Sequence, residues 1–131
     1  MSRAEVESDI RETLGHVLSF FDQVPDALLE HEWESMKAIE LAETHIPNKY
    51  KELIGVAVSG ATRCRYCVYF HSEAARLFGA TDDEIAEAAL MAKHTMGWST
   101  YLNALQVDYA TFTQEVDQAV EYVRAQAGAP A

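Results

Sequence analysis

The chain has 131 residues, 49% of them hydrophobic, and a formal net charge of −11. That length predicts one domain with a small core, and the acidic balance repels nucleic acid and anionic membranes, which sets both aside as partners. No run approaches the roughly 18 apolar residues of a membrane span, and Met1–Glu7 carries acids where a signal peptide would be basic and then apolar, so a cytoplasmic location is expected.

Along the chain, Val6, Ile10, Leu14, Val17, Leu18 and Phe21 recur at helical spacing and predict a first helix over residues 5–21. Val24-Pro25-Asp26 reads as a turn. A second helix over 27–43 carries Leu28, Trp33, Met36, Ile39 and Leu41. Pro47 suits the first turn of a third helix, over 47–59, which contains Glu52. Gly60 to Arg63 reads as a short link. The fourth helix spans 64–78 and ends at Gly79, a C-terminal cap. Thr81-Asp82-Asp83-Glu84 is a capping box that opens a fifth helix reaching to about Thr95. Met96-Gly97-Trp98 predicts a kink or break, followed by segments over 99–105 and 111–124, with 125–131 as a frayed tail. No strand pattern is present. The expected fold is a single-domain, all-α bundle of six to seven helices spanning 1–131.

The chemistry concentrates in one stretch. Cys64 and Cys67 are the only cysteines, His71 follows one turn later, and Glu52 lies twelve residues upstream of Cys64. At about 100° per residue, helical positions 64, 67 and 71 share a face. Cys64 falls in the expected first turn, where unpaired N–H groups and the helix dipole favour a thiolate. Arg63 and Arg65 flank it and favour the anion further. His71 is placed to accept a proton from Cys67, and Glu52 to orient the imidazole or pass the proton onward. In a cytoplasmic chain a lone Cys-x-x-Cys is more often catalytic or metal-binding than a structural disulfide.

Blander readings of the same residues stand beside this one. The cysteines can serve as two small apolar packing residues, His71 as a satisfied core histidine, and Glu52, beside Lys49 and Lys51, as a surface acid. Cys64, Cys67 and His71 also offer three zinc ligands, with Glu52 or His94 as a fourth, although the usual second ligand pair is missing. His94 and Trp98, with the Gly97 break and Tyr101, could line a substrate pocket; the favoured reading makes His94 a helix cap and Trp98 an apolar filler of the core or a subunit interface. His16, His31 and His45 read as surface residues.

The order Glu52, Cys64-x-x-Cys67, His71 resembles the signature of the alkylhydroperoxidase D group within the carboxymuconolactone decarboxylase family. The surrounding Lys51-Glu52-Leu53-Ile54, Ala61-Thr62-Arg63, His71-Ser72-Glu73-Ala74-Ala75 and the capped helix from Gly79 to Ile85 fit as well, over about residues 47–95. The resemblance implies an all-helical fold, homo-oligomers that are commonly trimers or hexamers, and thiol-dependent reduction of hydroperoxides. It also implies the roles: Cys67 attacks the peroxide, Cys64 resolves it as a disulfide, and His71 with Glu52 forms the proton relay. The chain departs from some relatives at Tyr66, where they carry a histidine. The superfamily's decarboxylases generally lack the cysteine pair.

The expected function is therefore a cysteine-based hydroperoxide reductase, or a disulfide reductase using the same dithiol. It needs a hydroperoxide and an external dithiol or protein reductant, and no bound cofactor. Two alternatives remain: a lactone decarboxylase or related isomerase using His71 and Glu52 as acid and base, and a non-enzymatic helical oligomer whose cysteines sense redox state or bind a metal.

Overall fold

A computed structural model describes residues 1–128. It is all-α, with six α-helices and no strand among the described residues. The chain divides into two compact units, residues 1–90 and 91–131. No helix among the described residues is long and apolar enough to cross a membrane.

The first unit opens with α1, Arg3–Leu14, held by a capping box between Ser2 and Glu5. It stops short of the expected Phe21 because Gly15 adopts φ +83°, a left-handed C-cap whose N–H bonds back to Arg11 at 2.9 Å. Ser19–Gln23 then forms a 3₁₀ turn, which carries Phe21 into the core. The second helix, α2, runs over Asp26–Met36 and widens into a π turn at Lys37–Leu41, closed by Ala42 N–H to the Lys37 carbonyl at 2.8 Å. The expected continuous helix to Glu43 is corrected accordingly. Helical spacing of apolar residues cannot register one extra residue per turn.

Val6 and Ile10 of α1 pack with Phe21, Leu29 and Trp33 as the buried core of this unit. Trp33 meets Phe21 edge-on, with ring centres 5.9 Å apart, and its indole N–H donates to Asp9 at 2.7 Å. The buried indole is thus satisfied.

The third helix, α3, spans Asn48–Thr62 and absorbs most of the expected Gly60–Arg63 link. Only Arg63 breaks the path, at φ +59°. The fourth, α4, spans Arg65–Leu77, so Cys64 is its N-cap rather than part of its first turn. Gly79, at φ +86°, follows the C-cap as expected. Thr81 and Glu84 exchange the two capping-box bonds, at 2.8 and 3.1 Å, ahead of α5.

α5 is continuous over Asp82–Ala104 and passes through Met96-Gly97-Trp98 without a break. A helical glycine costs only about 1 kcal/mol, which the remaining helix formers of the segment offset. In the second unit, α6 spans Tyr109–Gln126, capped by Asp108, whose carboxylate accepts from Thr111 N–H at 2.9 Å. Ala125 and Gln126, expected in a frayed tail, close this helix, and residues 129–131 of that tail lie outside the described residues. Neither α5 nor α6 buries a residue. Trp98, expected to fill a core or an interface, is 61% exposed in the single chain.

Candidate active site

α3 and α4 pack against each other more extensively than any other pair of elements among the described residues. Their meeting is built around a polar pair. Glu52 of α3 is 2% exposed, and its Oε2 lies 2.7 Å from Nδ1 of His71 on α4. A carboxylate so buried is costly unless partnered. In the tautomer whose Nδ1 donates to that carboxylate, Nε2 is the ring nitrogen free to accept a proton.

The ring of His71 lies directly on the α3 backbone. A Cβ at Gly55 would stand 2.4 Å from its Cγ and 2.5 Å from its Nδ1. Any side chain at that position meets the imidazole. Sequence reasoning missed Gly55. Its signal was available: a glycine inside a helix, one turn after Glu52, costs about 0.5–1 kcal/mol relative to alanine, and a close approach is one use of that freedom. Asn48 and Ser59, also buried in α3, were missed too. Asn48 donates to the Leu41 carbonyl at 3.0 Å and tethers the π turn, while its Oδ1 is buried without a partner. The Ser59 hydroxyl donates to the carbonyl of Gly55.

The cysteines sit at the start of α4 as free thiols, their sulfurs 2.6 Å apart. The Cys64 sulfur accepts the Cys67 N–H at 3.3 Å, the bond that caps the helix. These contacts separate the two thiols in acidity. Cys64 is held below the ordinary thiol range, first by its bond with the Cys67 thiol, then by the N–H groups of Cys67 and Tyr66. Cys67 is pushed up, first by the same bond to Cys64, then by burial and the neighbouring charge of Cys64. The preference for a thiolate at Cys64 thus arises from the pair and the helix terminus.

Two open grooves meet at Cys67 and His71. One, of about 620 Å³, is aromatic, with Phe20, Phe21, Tyr66 and Phe70 among its walls. The other, of about 640 Å³, carries Ile46, Ile54 and Val58 and reaches Glu52. Ile39 and Glu40, turned in by the π turn, line both. The structure therefore gathers Glu52, Cys67 and His71 on common walls, with Cys64 in contact with Cys67 from the other side. Among the described residues no group of three or more His, Cys, Asp or Glu is arranged to hold a metal ion. His94 lies in the second unit, and His16, His31 and His45 are exposed.

The sequence profile of the carboxymuconolactone decarboxylase family matches residues 22–109. The chain belongs to the carboxymuconolactone decarboxylase family. The match extends beyond the 47–95 stretch that carries the motif, taking in α2 and the π turn that wall the grooves. Among solved structures, the chain is similar to the alkylhydroperoxidase core from Rhodospirillum rubrum, with 31% identity, a TM-score of 0.71, and 83% of this chain and 85% of that one covered. It is also similar to a protein from Methanobacterium thermoautotrophicum, with 32% identity, a TM-score of 0.60, and 67% and 97% covered. A curated relative, uncharacterized protein 4 in the cox locus of Paracoccus denitrificans, is 30% identical over 78 residues, which cover 60% of this chain and 70% of that protein. The all-helical, alkylhydroperoxidase-like architecture expected for this family member is what the structure displays.

Proposed function

We propose that this family member is a cytoplasmic thiol-dependent peroxidase that can also act as a disulfide reductase. Cys67 passes its proton to His71 and attacks the terminal oxygen of a hydroperoxide. The O–O bond breaks, the alcohol leaves with a proton, and Cys67 becomes a sulfenic acid. The Cys64 thiolate then attacks that sulfur and expels water, leaving the Cys64–Cys67 disulfide. An external dithiol returns the pair to its reduced form. The observation that carries the reading is the buried Glu52–His71 bond, 2.7 Å long, on the groove walls that His71 shares with Cys67. The likeness to the Rhodospirillum rubrum alkylhydroperoxidase core supports it. Apolar walls on both grooves favour an organic hydroperoxide over hydrogen peroxide.

The same Glu52–His71 pair would also serve a decarboxylase-type acid–base reaction, which the family name favours and which needs neither sulfur. A coupled assay separates the two. It offers hydrogen peroxide or an organic hydroperoxide with a dithiol donor, and in a separate arm a lactone, to wild type, to Cys67→Ser and to Cys64→Ser with Cys67→Ser. Peroxide consumption that disappears in the variant supports the thiol chemistry, whereas lactone turnover that survives loss of both cysteines supports the alternative.

The assembly is part of the proposal. Met91, Trp98, Tyr101, Phe112, Tyr122 and Val123 are all exposed in the second unit. So much large apolar surface on one chain favours burial between copies, as a trimer or hexamer.

A further inference from the structure

The two sulfurs of the pair open onto different surfaces. Cys67 lines the apolar grooves shared with His71, whereas Cys64 lines a third groove, of about 570 Å³, with Arg63, Arg65 and Arg76 among its walls. In a chain of net charge −11 this is a local concentration of positive charge. Glu73 is the acid on its walls, and it is taken up by Arg76 at 2.7 Å; Arg76 also holds Asp82 at 2.9 Å. Arg63 and Arg65 have no ion-pair partner among the described residues. Arg63 occupies the left-handed region at φ +59°, where glycine or asparagine would sit more cheaply. Arg63 and Arg65, neither in an ion pair, therefore line the same groove as half-buried Cys64.

We propose that the Cys64–Cys67 disulfide is reduced from the Cys64 side, by a small thiol carrying a carboxylate that docks between Arg63 and Arg65. This rests on the redox reading above. A guanidinium binds a carboxylate through two parallel N–H···O bonds, which positions as well as attracts. The size of the groove and the acidity of the rest of the chain both favour a small anion over a large acidic protein, which the net charge would repel.

The step balances. The incoming thiolate attacks Sγ of Cys64 and forms a mixed disulfide. The Cys64–Cys67 bond breaks, and its electron pair leaves on Cys67, which takes a proton from the imidazolium of His71. A second thiolate then attacks the sulfur of the bound reductant, forming the free disulfide and releasing the Cys64 thiolate. Two thiols are oxidised and one protein disulfide is reduced, while oxidant and reductant approach the pair from different grooves.

The test uses full-length protein whose disulfide has been formed with a stoichiometric chemical oxidant and verified by thiol titration. Its reduction is timed with 3-mercaptopropionate, 3-mercaptopropionamide and cysteamine, an anion, a neutral amide and a cation, with rates expressed per thiolate and divided by the rate of the same thiol with a neutral small-molecule disulfide, which removes differences in intrinsic nucleophilicity. Wild type should favour the anion over the amide by about fivefold, the upper scale of an exposed ion pair, and cysteamine should be slowest. Arg63→Asn with Arg65→Gln should bring the anion-to-amide ratio to about one, whatever the amide rate itself becomes. Arg63→Lys with Arg65→Lys should keep most of the preference, and added salt should weaken it. Equal rates for the three thiols in wild type, or a preference that survives the neutral double variant, would overturn the docking proposal alone. Failure of the disulfide to form at all would bring down the redox reading, and this proposal with it.

Discussion

The imidazole of His71 rests on the backbone of α3 at Gly55, so closely that a Cβ there would stand 2.4 Å from the ring. Glu52 holds the same ring through Nδ1 at 2.7 Å. Under the proposed relay, Gly55 is a positioning residue. Gly55→Ala adds the helix propensity that alanine normally brings, but it must displace the ring from Glu52. The expected outcome is a folded protein whose oxidation by peroxide is slowed by about 10–10², the scale of an ångström-sized misplacement. The pH–rate profile should shift as well. A variant with the wild-type rate and profile would show that the close approach has no part in the chemistry.

A second expectation concerns the relay itself. His71→Gln should lower the rate of peroxide reaction by about 10²–10⁴, the usual scale for loss of a general base. Glu52→Gln should cost less and should shift the pH profile, because Glu52 acts on sulfur only through His71. Tyr66→Phe separates packing from chemistry at the position where some relatives carry a histidine. A small effect is expected, because Tyr66 is 80% exposed on a groove wall. Single-turnover oxidation of each variant across pH is the measurement. If His71→Gln matches wild type at every pH, the relay is wrong for this chain.

The thiols should titrate apart, and each should depend on the other. Alkylation is carried by the thiolate, so its rate rises with pH through the thiol pKa. With Cys64 lowered and Cys67 raised, the inflection of Cys64 falls at lower pH than that of Cys67. Cys67→Ala removes the first cause of the lowering, so the Cys64 inflection should move up. Cys64→Ala removes the first cause of the rise, so that of Cys67 should move down. Alkylation followed by mass spectrometry reads each site separately. Two single variants that titrate like the wild-type pair would mean that the sulfurs are not coupled.

Much of this site was legible from spacing. Glu52, Cys64, Cys67 and His71 stand apart in the sequence because their residue types are scarce and their offsets place the last three along one helix face. What spacing could not show was how α3 ends. Arg63 takes the left-handed conformation, and that single residue makes Cys64 an N-cap instead of a first-turn residue. Gly55 was hidden for a related reason: the demand for glycine comes from a ring on another helix. Glycine also misled in both directions. Gly15 ends α1 inside an apolar pattern that reads as continuous, whereas Gly97 looks like a break and lies within unbroken helix. The π turn at Lys37–Leu41 adds a single residue to one turn and so leaves little trace in the sequence, although its Ile39 and Glu40 line the grooves.

Self-association should follow from the exposed apolar side chains of the second unit. Sedimentation equilibrium should give a closed oligomer, a trimer or hexamer. Charged substitutions at Trp98 and Val123, which are 61% and 64% exposed, should lower its mass. A monomer mass independent of concentration would contradict this.

The most direct test of the account counts thiols. Reduced wild-type protein is exposed to one equivalent of an organic hydroperoxide, and free thiols and intact mass are measured before and after. The account predicts the loss of both thiols per chain and two mass units, with no crosslinked chains on a non-reducing gel and full recovery after treatment with dithiol. Cys67→Ser should leave Cys64 free under the same treatment. Thiols that stay intact while the protein is folded, or that crosslink between chains instead of within one, would contradict it.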